Sequence, residues 1–370
     1  MPDSPVEVWM VGPFPPPVHG MSAVNDAVRD LLLRAGVRPH VIDVAAPSLS
    51  NRSRARLARL PRAARGLIRL VGAGLTRPGV LYMSLSGGWG QLYELGFLLI
   101  ARARRLERFV HHHSFAYLDS PRWLSRALVW VAGRDATHVV LCEHMEGLLR
   151  SVYGAKNVTV MSNASLVAKP RRDTVVANPR SQLRTIGMIG SLTEEKGVPD
   201  FLELVGLVQA AGLPVHARLA GPFSSEETKR RVLEQADRLH IDYLGPIYGE
   251  SKEQFLRHLD VLVLPTRYAN EAEPLVVLEA LAHGTPVIAF GRGCIPGTIP
   301  PECGLVIDPG KSFSPAAIEQ IRTWLREPAR FAAASRAART QYEAWQTKSN
   351  QQWEEILGRM TTSSGKERSA

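Results

Sequence analysis

Two carboxylates, Glu271 and Glu279, stand eight residues apart in NEAEPLVVLEALAHGTPVIAF, Asn270 to Phe290. Just upstream, DVLVLPT (Asp260–Thr266) is a short Val- and Leu-rich run of the kind buried on both faces of a parallel sheet. Pro274 fits a first helical position, where its missing N–H costs little. Leu275 to His283 then continue as helix formers until Gly284 and Pro286 stop them. A second apolar strand, PVIAF, follows, so the order is strand, acidic loop, helix, strand. A helix N-terminus offers unpaired N–H groups and positive potential, which suit a diphosphate. Leu275 and Val276 would supply those donors. Glu279, a turn further in, would accept from vicinal hydroxyls such as a ribose pair, and Glu271, ahead of the helix, would meet the group being transferred. For an isolated pair the plainer reading is a capping carboxylate and a solvated helix glutamate.

The flanking sequence moves the balance toward chemistry. The carboxylate block resembles the E-x7-E signature of family 4 glycosyltransferases, retaining enzymes of the GT-B fold. IGMIGSLTEEKGVPDFLELV (Ile186–Val205) is similar to that family's strand, loop and helix with a lysine–glycine pair, here Lys196 and Gly197. VTVMSNA (Val158–Ala164) resembles the strand and asparagine that close its first domain. FVHHHSFAY (Phe109–Tyr117) resembles its strand ending in histidine, and VGPFPPPVHGMSAVNDAVRDLLLRAG (Val11–Gly36) its first strand, acceptor-side loop and helix. The likeness runs from about residue 6 to about residue 355.

The resemblance implies two Rossmann-like, doubly wound parallel-sheet domains with an interdomain cleft and a C-terminal helix returning to the first domain. Mapped onto this chain, the acceptor-side domain is 1–167, the linker 168–179, the nucleotide-sugar-binding domain 180–335, the crossover helix 336–360 and a disordered tail 361–370. Tyr342, Trp345 and Trp353 would anchor the crossover helix on the first domain. The implied activity is a retaining transfer of a sugar from a nucleotide-diphosphate sugar to a saccharide or lipid-linked acceptor, in bacterial polysaccharide or glycoconjugate biosynthesis. Leu275 and Val276 N–H groups with Lys196 would hold the diphosphate, and Glu279 the ribose. Glu271, helped by the N–H groups of Ala272 and Glu273, would hold sugar hydroxyls near the anomeric carbon, and His113 would complete the sugar site. The donor is a substrate, and no cofactor or metal is implied. A same-face attack steered by the leaving phosphate and a covalent intermediate on a side chain both remain open.

Several positions depart from the family pattern. Ser191 stands where the family carries an arginine five residues before the lysine, so the donor site lacks a guanidinium there. His19 precedes Gly20 where a glycine pair is usual, and Ala164 follows Asn163 where glycine is usual. Gly20 would let donor phosphates or acceptor approach the backbone; the alternative is an ordinary helix start with Ser22 as N-cap. Strand alternation puts His111 and His113 on one side and His112 on the other. Two other functions stay open: a GT-B nucleotide-sugar epimerase, against which the retained carboxylate block argues, and a non-catalytic nucleotide-binding scaffold, which Ser191 favours.

Composition narrows the classes further. The 370 residues suffice for two ordinary domains, and 45% hydrophobic with 22% charged residues is globular. No apolar run reaches the ~18–20 residues that span a bilayer. The N-terminus has no basic start before its apolar segment, so it is not read as a signal peptide. Three cysteines, Cys142, Cys294 and Cys303, are too few and scattered for a disulfide framework or a zinc site. No Asp-x-Asp, Walker A or complete G-x-G-x-x-G sequence is present. The net charge of +10 is concentrated: eight arginines and no acid lie between Asn51 and Arg77. This basic amphipathic segment, Arg52–Arg77, fits either an anionic membrane surface or a solvated helix face. Without interleaved aromatics it does not fit nucleic acid. The expected location is the cytoplasm, peripheral on the inner face of the cell membrane.

Overall fold

The computed structural model describes residues 6–46, 52–73, 79–167 and 180–361, residues 52–57 by their backbone alone. The expected linker 168–179 and the tail beyond residue 361 lie outside the described residues, as does the end of the basic segment. The chain divides into two compact units, 1–166 with 348–370, and 167–347.

The first unit runs β1 (Glu7–Gly12), α1 (Gly20–Arg34), β2 (His40–Asp43), α2 (Arg52–Gly72), β3 (Gly79–Leu85) and α3 (Gln91–Ala103). It continues through β4 (Glu107–His112), α4 (Ala116–Asp119), α5 (Trp123–Ala132), β5 (Thr137–Val140), α6 (Glu143–Tyr153) and β6 (Val158–Val160). Its sheet has the order β2-β1-β3-β4-β5-β6, every pair parallel. The apolar runs are there because parallel strands are covered on both faces: all of β3 and β5 is buried.

The second unit runs β7 (Thr185–Ile189), α7 (Val198–Ala210), β8 (His216–Ala220), α8 (Glu226–Arg238), β9 (Asp242–Tyr243), α9 (Gly249–Arg257) and β10 (Val261–Leu264). Then come α10 (Leu275–Ala282), β11 (Val287–Phe290), α11 (Ile295–Thr298), β12 (Gly304–Ile307), α12 (Phe313–Arg326) and α13 (Pro328–Thr361). The sheet order is β12-β11-β10-β7-β8-β9, again all parallel. Two apolar clusters cover its faces, one around Phe201, Phe290 and Phe331, the other around Leu262, Val277 and Leu281. The chain goes one way from β7 and the other way from β10, which lie side by side. The loops after these two strands therefore flank the point where strand order reverses, the usual ligand crevice of an open α/β sheet.

The strand, helix and second strand expected around the carboxylate block form as β10, α10 and β11, within two residues at each end. α12 and α13 are separate helices, because Pro328 cannot continue the i to i−4 ladder of α12. The crossover segment 336–360 lies inside α13, whose residues up to Thr347 belong to the second unit and from Lys348 to the first. Tyr342 is corrected accordingly: it is buried in the second unit against Leu281 and its neighbours, not anchored on the first. Trp353 does sit in the first unit, edge-on to His111 at 6.3 Å between ring centroids. There Ser349 Oγ donates to Ser162 O (2.6 Å) and Arg359 pairs with Glu107 (2.9 Å).

Candidate active site

Loop β10–α10 and loop β7–α7 meet across the switch point of the second unit. Glu271 is 8% exposed, and its Oε2 lies 2.5 Å from Lys196 Nζ and 3.1 Å from Thr266 Oγ1, which donates to it. The Lys196 ammonium also stands 4.9 Å from the centre of the Tyr268 ring. Backbone bonds fix both partners. Glu271 N–H donates to Tyr268 O (2.9 Å), and Lys196 N–H donates to Thr193 Oγ1 (3.1 Å).

Two glycines make this approach possible. Gly197 caps α7 with φ 87°, and any Cβ there would strike the Pro265 carbonyl. Gly293, φ 60°, lies directly under the Glu271–Ala272 backbone, so a Cβ would strike both carbonyl oxygens. In both the left-handed backbone and the close approach demand glycine.

Pro274 proves to be the N-cap of α10, with Leu275 as first helical residue and His283 as C-cap. The N–H groups of Leu275 and Val276 have no hydrogen-bond partner among the described residues; the first bond of the helix is Val277 N–H to Pro274 O (3.0 Å). These two donors and the helix dipole give an anion site that is only partly buried. One turn on, Glu279 is held by Lys252 of α9, whose Nζ is 2.6 Å from Oε1 and 2.5 Å from Oε2. Buried Tyr342 faces the same carboxylate; burial, then the Glu279 charge, pushes its phenol up to about 12. Each motif carboxylate thus carries its own lysine. Ala272 and Glu273 are buried in the connecting loop, and Ala272 O accepts from Cys294 N–H (2.8 Å). Ser191 is exposed in the turn after β7, its carbonyl accepting from Thr193 N–H (3.0 Å).

The remaining expected residues belong to the first unit. The His111 and His113 rings lie 4.0 Å apart on one side of β4. His112 points the other way, Nδ1 2.7 Å from Tyr117 OH and Nε2 3.0 Å from His138 Nδ1. Burial, followed by the charge of nearby His19, pushes the His113 imidazole down to about 3, so it is neutral near pH 7. Its Nε2 is shielded from water and has no hydrogen-bond partner among the described residues. Gly20 is exposed as the first residue of α1, with open space around its Cα. His19, not Ser22, is the N-cap. His19 N–H donates to Ser22 Oγ (2.8 Å) and Ser22 N–H to His19 Nδ1 (3.4 Å), a reciprocal box that starts the helix three residues earlier.

Sequence reasoning did not single out Lys252, Thr266, Tyr268 or Gly293. Lys252 lies in an ordinary charged helical stretch with no local signal. Gly293 had one: a glycine pair, Gly291 and Gly293, directly after a buried strand. Among the described residues no cluster of three or more His, Cys, Asp or Glu is placed to hold a metal ion.

Residues 183–327 match the family described as Glycosyl transferases group 1. The amylovoran biosynthesis glycosyltransferase AmsD of Erwinia amylovora is 28% identical over 240 residues, 63% of this chain and 64% of that protein. A GDP-mannose-dependent monoacylated alpha-(1-6)-phosphatidylinositol monomannoside mannosyltransferase of Corynebacterium glutamicum is 29% identical over 177 residues, 46% of this chain and 44% of that one. The matches therefore span 64% and 44% of these relatives' length. Among solved structures, Anabaena HepE in complex with UDP superposes over 95% of this chain and 100% of its own, with a TM-score of 0.68 at 17% identity. The chain has the two-unit α/β GT-B fold, and the segment that matches the group 1 glycosyltransferases is the one carrying Lys196, Glu271 and Glu279.

Proposed function

We propose that the protein is a retaining, metal-independent family 4 glycosyltransferase that moves a hexose from a nucleotide-diphosphate sugar to a saccharide or lipid-linked acceptor. The observation that carries this reading is the pairing of each motif carboxylate with a lysine, beside two unpartnered N–H groups at the start of α10. A diphosphate at that helix end would draw Lys196 away from Glu271. The carboxylate so released accepts hydrogen bonds from the sugar hydroxyls, aided by the N–H groups of Ala272 and Glu273. Glu279 takes the ribose in the same way. The bond between the anomeric carbon and the diphosphate breaks, a bond to an acceptor hydroxyl forms, and that hydroxyl's proton leaves on the released diphosphate. Lys196 and the Leu275 and Val276 N–H groups stabilise the charge that gathers on the leaving diphosphate.

Ser191 leaves the β7–α7 loop with Lys196 as its cation toward the donor, and Lys252 adds a second one within reach of Glu279. The shielded Nε2 of His113 suits a sugar hydroxyl. The ground for metal-independent chemistry is the want of an Asp-x-Asp sequence. The named activities of AmsD and of the mannosyltransferase support a role in polysaccharide or glycolipid assembly.

The test is a thermal-unfolding panel of UDP, GDP, ADP, TDP and CMP on the wild type and on Glu279→Ala. At about 100 times its dissociation constant the right nucleotide should stabilise the wild type by about 2.7 kcal/mol. A response to one nucleotide, lost in the variant, supports the donor site and names its base. No response to any nucleotide overturns the donor-site reading.

A further inference from the structure

The first unit presents an apolar and basic face that the donor-site chemistry leaves unused. The connections β2 to β3, β3 to β4 and β4 to β5 all proceed in one direction across the sheet. Right-handed crossovers therefore put α2, α3 and α5 on one face, whereas α1, connecting the other way, lies opposite. α3 packs between α2 and α5. Each of the three helices buries one side in the unit and leaves large hydrophobic side chains on the other. These are Ile68 and Val71 on α2, Leu92 and Leu99 on α3, and Trp123 and Trp130 on α5, with Trp89 leading into α3. Trp123 and Trp130 are 73% and 74% exposed and sit seven residues apart, on one stripe with exposed Arg126 between them. A scattered exposed leucine is ordinary, but tryptophans and aliphatics gathered on adjacent helices mark an interaction surface.

The charge on the same helices says what that surface meets. Together they carry nine arginines and one carboxylate, Glu94, which is buried. At the C-terminal ends of α3 and α5 a cavity of about 280 Å³ is lined by Arg102, Arg105, Arg108, Arg134, Gly133 and Asp135. Four guanidinium groups thus face one carboxylate, which pairs with Arg108 at 3.6 Å. Arg102 ties the cavity to the tryptophan stripe: it donates to the Trp130 and Val131 carbonyls (3.3 Å each), and its guanidinium lies 5.9 Å from the Trp130 ring centre. Arg105 holds the left-handed position just past α3 (φ 58°), where glycine is the unstrained choice.

We propose that the α2–α3–α5 face docks on an anionic lipid surface. Trp123 and Trp130 sit at headgroup depth, where an amphipathic ring has its apolar body and polar N–H each satisfied. The arginine cavity takes a lipid phosphate, and the arginines of α2 extend the electrostatic contact. A second copy of the chain is disfavoured as occupant, because it would set exposed Arg65, Arg69, Arg102 and Arg126 against the same four charges. No described helix is long and apolar enough to cross the membrane, so the contact is a surface one. None of this depends on the donor site.

Sedimentation with vesicles tests it, using neutral phosphatidylcholine alone or mixed with phosphatidylglycerol. The protein should bind the anionic vesicles and not the neutral ones. The double variant Trp123→Ser/Trp130→Ser and the pair Arg105→Glu/Arg134→Glu should each lower partitioning by about tenfold or more. The far-ultraviolet circular dichroism and the thermal unfolding transition of each variant serve as the folding control. Should a variant misfold, brominated acyl chains give the answer on the wild type, quenching its exposed tryptophans if they insert. Equal binding to neutral vesicles, unchanged binding of the variants, or no quenching overturns the proposal. So does a dimer in light scattering that the tryptophan variant dissolves.

Discussion

Glu271 shows how little of a residue's role its type fixes. A glutamate ahead of a helix is ordinarily a cap or a solvated charge; here it is nearly buried, bridged to Lys196 and Thr266 from two loops. Glu271→Gln keeps the shape and removes the charge. Turnover should fall by about 10²–10³-fold, the size of loss seen when one transition-state hydrogen-bond partner is removed. Nucleotide stabilisation should survive, because the diphosphate and ribose contacts lie on other residues. Single-turnover rates beside thermal shifts separate the two effects, and unchanged turnover removes Glu271 from the reaction. The sequence made this residue legible through its neighbours. Lys252 it did not: the lysine meets Glu279 only because α9 packs beside α10, a contact between residues 27 positions apart.

At the level of elements, the site is a product of loops that glycine alone can build. The turn after β11 passes so close to the Glu271–Ala272 backbone that position 293 has neither room for a side chain nor a backbone conformation that favours one. Gly293→Ala should cost about 1–3 kcal/mol through strain and displacement of the loop, and should lower turnover by shifting Glu271. Gly20→Ala is the contrast: with open space and a helical position, it should leave the melting temperature unchanged or slightly raised. Equal effects of the two variants on unfolding and activity would count against the loop argument. The same scale explains the missed helix start at residue 20. Capping is a pairwise event, and His19 with Ser22 satisfies the first N–H groups better than Ser22 could alone.

For the whole molecule, the buried histidines of the first unit set an acid limit on stability. Burial holds His111 and His112 well below their usual range, His113 down at about 3 and His138 at about 4. Below about pH 6.5 the unfolded chain takes up protons that these rings refuse, so stability is present above that value and lost as pH falls toward 4. By about pH 5 a buried ring such as His138 accounts for a loss of about 2 kcal/mol. Glu94 acts oppositely: burial raises its carboxyl to about 7, so it favours the fold as pH drops from 7. One carboxyl offsets roughly one histidine, and the others prevail. Melting temperature should therefore fall between about pH 7 and pH 5, and His138→Gln should flatten the slope. An unchanged slope in that variant would remove His138 from the account.

The sequence by itself determined the alternation of strands and helices, the two-sheet fold and the residues around α10. Apolar runs, glycine and proline stops and carboxylate spacing are local patterns, and local patterns are set by periodicity and steric limits along the chain. It also carried the arginine excess of α2. Only the tertiary structure decided which lysine each carboxylate holds, that β7 and β10 bring their loops together, and that Tyr342 and Trp353 of one helix serve different units. It also decided that the tryptophans of α5 face outward beside those arginines. These depend on which elements pack side by side, a property of sheet order and helix register between segments far apart in the chain.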